Sequence, residues 1–136
     1  MVADAPARSI TLPSDAGAAR TAREFVRDAM RAWALDDTDQ IAELLTDELV
    51  GNVVRHVGSA MEVRASCRPD SIRIEVDDAS TEPPIRRHPD EFDEHGRGIL
   101  FVETLATDWG VELRDGGKTI WFELDATPTG DLPVVD

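Results

Sequence analysis

The apolar residues of this chain change their spacing near residue 60, and that switch restricts the folds open to it. Before it they recur every three to four positions, as on one face of a helix; beyond it they mostly alternate, as on one face of a strand. In 18–35, Ala22, Phe25, Val26, Ala29, Met30 and Trp33 share a helical face, with Ser14 or Asp15 as the expected cap. Thr38 or Asp39 offers the next N-cap, and Ile41, Leu44, Leu45, Leu49, Val53 and Val57 predict the buried stripe of a second helix ending near Gly58. Met61 to Cys67 and Ser71 to Asp77 alternate around Arg68-Pro69-Asp70, which predicts a hairpin. Trp109 to Leu113 and Thr119 to Leu124 do the same around Asp115-Gly116-Gly117. Between the hairpins, Gly96-Arg97-Gly98 opens a third helical stripe of Ile99, Leu100, Val102, Leu105 and Ala106. Ile10 and Leu12 read as a short strand ended by Pro13. Two helices, a hairpin, a helix and a hairpin predict an α+β fold, a two-layer sandwich in which helices cover one face of a mixed sheet.

At 136 residues the chain fits one domain, expected over 9–126, with a disordered N-terminus over 1–8 and a flexible tail over 127–136. Ser80 to His95, with three prolines and few apolar residues, is expected to be a mobile loop. A net charge of −14 argues against nucleic acid or an anionic membrane as the main partner. It suits a basic protein, or a phosphorylated substrate escorted by Mg²⁺. Cys67 alone forms no internal disulfide, and no Cys/His spacing of a structural zinc site is present. With no signal-peptide pattern and no run of about 18 apolar residues, the expectation is a soluble cytoplasmic protein.

Three segments carry chemistry. Glu48 and Asn52 lie one helical turn apart, so a carboxylate and a carboxamide point the same way, toward what the second helix's expected stripe leaves as its outer side. An amide oxygen is a hard ligand for Mg²⁺, and a nearby carboxylate accepts a proton. Arg55 and His56 continue along that helix. The bland alternative is a solvated face, although Asn is a poor helix former without some other use. Asp77 and Asp78 end a strand, where a carboxylate accepts a hydrogen bond from an exocyclic amine, though acids also end strands for turn chemistry alone. Gly96 and Gly98 at a helix start let a phosphate approach unsatisfied N–H groups, though a flexible loop exit has the same composition. Gly117-Lys118-Thr119 is not a P-loop: the required first glycine falls at Glu112, and the segment lies in a hairpin.

Taken in order, these segments resemble the GHKL superfamily of ATPase domains, the histidine kinase-like ATPases, and within it the anti-sigma-factor serine/threonine-protein kinases. Glu48-Leu-Val-Gly-Asn52-Val-Val-Arg-His56 is similar to the first box of that family, Val76-Asp-Asp78-Ala-Ser80 to the second, and Gly96-Arg-Gly98-Ile-Leu-Phe-Val102 to the third. Trp109-Gly110 and Gly117-Lys-Thr119-Ile-Trp121 are similar to its closing hairpin, so the likeness runs from about Ile10 to Leu124. The resemblance implies a Bergerat fold with ATP as ligand and Mg²⁺ as cofactor. It implies that Asn52 holds the metal and that Glu48 is the general base. Asp78 reads adenine, with Ser80 standing where the wider superfamily usually has glycine. The backbone of Gly96, Arg97, Gly98 and Ile99 cradles phosphates, with Arg86, Arg87 or Arg97 as further contacts. His56 and Thr119 line the nucleotide. The implied substrate is a serine of an anti-sigma antagonist protein, and the implied partners are that antagonist and a sigma factor, with a homodimer in prospect. A nucleotide-gated protein-binding module without phosphotransfer is the alternative that the same residues serve. A stand-alone sensor histidine kinase is disfavoured, since 136 residues leave no room for a phosphoacceptor hairpin and a sensor.

Overall fold

The computed structural model describes residues 7–35, 38–81 and 98–126, with residues 98–101 as backbone only. The elements follow in the order β1 (Arg8–Leu12), α1 (Ala18–Ala32), α2 (Asp39–His56), β2 (Met61–Cys67), β3 (Ser71–Asp78), α3 (Gly98–Leu105), β4 (Asp108–Arg114) and β5 (Gly117–Asp125). Their strands make one sheet in the order β1-β2-β3-β5-β4. The expected α+β two-layer sandwich holds, but all four pairings are antiparallel in place of a mixed sheet. The reason lies in which strand of the second hairpin joins β3. A crossover through α3 into β4 as the neighbour would make a parallel pair; instead β5 lies between them and runs against both.

Strand alternation sorts side chains to two faces. Met61, Val63 and Ala65 of β2, Ile72, Ile74 and Val76 of β3, and Ile120, Phe122 and Leu124 of β5 face the helices and are buried. They share a core with Ala22, Val26 and Met30 of α1 and Leu45, Leu49 and Val53 of α2. The other face is charged. Arg64 bonds Glu62, Glu75 and Asp77, while Arg73 bonds Glu75 and Glu123 and lies 3.9 Å from the centre of the Trp121 ring. Burial pushes the Asp77 and Glu75 carboxyls up, but their hydrogen bonds and the arginine charges outweigh it and hold both below the usual carboxylate values. The hydrogen bond to Asp77 is the main cause that raises the Arg64 guanidinium.

Two helix expectations change. α1 stops at Ala32, short of residue 35, because Ala34 takes the left-handed conformation at φ 59°. Leu35 N–H bonds Met30 C=O and Ala34 N–H bonds Arg31 C=O, a Schellman turn that carries Leu35 into the core beside Met30. Along α2 the buried stripe is rotated from the expected one: Ile41 and Leu44 are 41% and 38% exposed, while Ala42, Leu45, Thr46, Leu49, Val50, Asn52 and Val53 are buried. Small Ala42 and the self-satisfied Thr46, whose hydroxyl donates to Ala42 C=O, let that side approach its neighbours. Neither helix is capped by a side chain: Gly17 and Thr38 occupy the N-cap positions, and Asp15 accepts from Gly17 N–H in the turn before α1. The disordered N-terminus, mobile loop and flexible tail expected from the sequence fall, over 1–6, 82–95 and 127–136, outside the described residues.

Candidate functional site

α2 packs against both β3 and α3, so the helix carrying Glu48 and Asn52 touches the strand that ends in Asp78 and the helix that opens at Gly98. Asn52 does not face outward as expected from the sequence. It is only 6% exposed and lies between Leu49 and Val53 in the buried stripe, a consequence of the rotation that leaves Ile41 and Leu44 outside. Burying a carboxamide costs about 1–3 kcal/mol when its hydrogen bonds are not replaced, so packing alone does not favour asparagine here. Glu48, one turn earlier, is half-buried, and His56, one turn later, is exposed in the last turn of α2. Gly98 and Ile99 contribute the first backbone groups of α3, an end with N–H groups that lack partners within the helix. Gly96, Arg97, Arg86 and Arg87 lie outside the described residues.

The end of β3 sends its two acids to opposite faces. Asp77 joins the charged face, where Thr119 Oγ1 donates to its Oδ1 at 2.6 Å. Asp78 turns to the helix side, where its carboxylate is 0% exposed. Its Oδ1 accepts from Ser80 N–H at 2.8 Å and from Lys118 Nζ at 3.0 Å. Its Oδ2 stands 2.8 Å from the same Nζ, but off the hydrogen-bonding direction, and accepts no hydrogen bond among the described residues. Thr119 is therefore separated from Asp78 by the thickness of the sheet, and the side chain across from Asp78 is Lys118, itself 1% exposed. In the sequence this lysine reads only as part of a hairpin turn, Gly117-Lys118-Thr119. Parity would have found it: Ile120, Phe122 and Leu124 are core residues, so Lys118 belongs to the same face.

Gly117 makes the pairing possible. A Cβ there would lie 2.2 Å from the Asp78 carbonyl oxygen, so only glycine lets β5 approach the end of β3 so closely. On the charged face at the same end is a depression of about 270 Å³ lined by Thr11, Glu62, Asp77, Asp78 and Arg114 among others. Asp78 lends it main chain only, since its carboxylate is buried on the other side.

The arrangement offers a proton acceptor at Glu48, a hard oxygen donor at Asn52, a buried acceptor for an amine at Asp78, and helix-start amides for an anion. Among the described residues no group of three or more His, Cys, Asp or Glu is placed to hold a metal ion. A Mg²⁺ held by one amide oxygen, nucleotide phosphates and water needs no such cluster, and an asparagine amide oxygen is a hard donor of the kind it takes. No described helix is long and apolar enough to cross a membrane.

A family model described as the histidine kinase-like ATPase domain matches residues 12–124. Among solved structures, the crystal structure of the RsbU and RsbW domains of Rv1364c from Mycobacterium tuberculosis is similar, with a TM-score of 0.69 and 22% identity. The match covers 91% of this chain and 34% of that one, so this chain spans about a third of its length. No curated protein matches. The family match takes in all three candidate segments and both hairpins, and the chain belongs to the histidine kinase-like ATPase domain family.

Proposed function

We propose that this member of the histidine kinase-like ATPase family binds Mg²⁺-ATP between α2, the end of β3 and the start of α3. There it transfers the γ-phosphoryl group to a serine of an anti-sigma antagonist, and it also sequesters a sigma factor. The observation that carries the reading is Asn52: a carboxamide buried in an otherwise largely apolar stripe, one turn from a half-buried carboxylate. The resemblance to anti-sigma-factor kinases supports the finer statement, as does the fold shared with a structure that includes an RsbW domain.

In this reading Asn52 holds the metal through its amide oxygen, Asp78 Oδ2 accepts from the base, and the backbone from Gly96 to Ile99 takes the phosphates. Mg²⁺, when bound, neutralises charge on the phosphates. Glu48 accepts the serine proton and holds the hydroxyl toward the phosphorus, while His56 lies at the rim of the same helix face. Glu48→Gln separates transfer from binding. Mg²⁺-ATP affinity persists in this variant, and labelling of a serine-bearing partner from host lysate falls by roughly 10²–10⁴, the scale of a lost general base. Transfer at the wild-type rate removes Glu48 from the chemistry. Wild-type protein that binds ATP and labels no partner supports the nucleotide-gated binding module instead.

A further inference from the structure

Resting on the nucleotide reading above, we propose that Lys118 makes the base end of the site accept 6-oxo purines, guanine or hypoxanthine, as well as the 6-amino purine adenine. A carboxylate only accepts hydrogen bonds, so Asp78 by itself would favour the 6-amino group and repel a 6-oxo group. Here the acid is not by itself. The Lys118 ammonium, which only donates, lies 2.8 and 3.0 Å from its two oxygens, and both side chains are buried.

The edge of adenine presents a donor at position 6 and an acceptor at N1, whereas guanine and hypoxanthine present an acceptor at position 6 and a donor at N1. A donor and an acceptor side by side can meet either pattern, by exchanging which of them faces position 6. Two features keep both partners available. Asp78 Oδ2 stands 2.8 Å from the ammonium yet accepts no aligned hydrogen bond among the described residues, and the lysine ends a flexible four-carbon stem that can swing its charge by the width of one ring atom. Leu113, the cross-strand partner of Lys118, leaves a large apolar side chain 58% exposed beside the pair, where the flat face of a base can lie. Ser80 N–H fixes Oδ1, so the acid stays in place while the lysine adapts.

The test is an equilibrium titration of the wild-type chain with the Mg²⁺ complexes of ATP, GTP and ITP. ITP isolates the 6-oxo group because it lacks the 2-amine of guanine. The proposal expects the three affinities to fall within about tenfold of one another. A site that hydrogen-bonds the 6-amino group through an acid alone would reject the two 6-oxo nucleotides by roughly 10² or more, and that result overturns the proposal. In Lys118→Met, GTP and ITP should weaken at least tenfold relative to ATP. An unchanged ratio in a variant that still melts cooperatively also overturns it. Should that variant not fold, the wild-type series still decides the matter. Binding of none of the three overturns the nucleotide reading and this proposal together, a result distinct from a site that takes ATP alone.

Discussion

Gly117 shows how much a single missing atom controls at the base end. A methyl group there meets the Asp78 carbonyl oxygen at 2.2 Å, against rigid main chain that has nowhere to go. Gly117→Ala is expected to cost about 1–3 kcal/mol, the scale of forced overpacking, and to loosen the Lys118–Asp78 pair. Urea unfolding checks it: the midpoint should fall with the slope unchanged. Glu48, Asn52 and Asp78 were legible as candidates because their chemistry sits at spacings that local geometry makes meaningful. The burial of Asn52 was not, since it depends on which side of α2 the sheet takes, a tertiary choice between two nearly equal apolar faces. Lys118 was hidden for a different reason. A lysine next to glycines in a turn reads as solvated, and only the strand's parity counts it among core residues.

The strands are legible to within one or two residues, because alternation is unambiguous when one face is apolar and the other charged; β5 starts two residues before its expected bound, at Gly117. Helix ends were less legible. α2 closes at Gly58, at φ 74°, as a glycine stop signal leads one to expect. α1 also closes on a left-handed residue, but that residue is Ala34, which carries no such signal. An L-residue in that conformation costs about 1–2 kcal/mol, offset here by the burial of Leu35. Ala34→Gly relieves the strain and adds chain entropy to the unfolded state, so a net gain of about 0.5–1 kcal/mol is expected. Thermal and denaturant unfolding should both move upward; a loss of stability would show that Ala34 is not strained. The antiparallel sheet was beyond sequence reading, since hairpin content leaves open which strand of the second hairpin lies beside β3.

At the scale of the whole molecule, charge is distributed by layer. The chain carries a net −14, yet the charged sheet face gathers Arg64 and Arg73 among its acids, and this pairing holds Glu75 and Asp77 below their ordinary values of 4.5 and 3.8. Groups depressed in the folded state bind fewer protons than when unfolded. Their contribution is therefore full above those ordinary values and is lost as pH falls below them. Arg64→Met should flatten the loss of stability in that acidic window and lower stability near neutrality, read by unfolding midpoints across pH. An acid slope equal to that of wild type would place the pH dependence elsewhere. The helix-covered side of the sheet carries the central claim, a Mg²⁺-nucleotide site organised around Asn52. Calorimetric titration with ATP, with and without Mg²⁺, on wild type and Asn52→Ala tests it most directly. The account predicts Mg²⁺-dependent binding to wild type that weakens at least about tenfold in the variant, with little change when Mg²⁺ is absent; equal affinity of the two proteins in Mg²⁺ would contradict it.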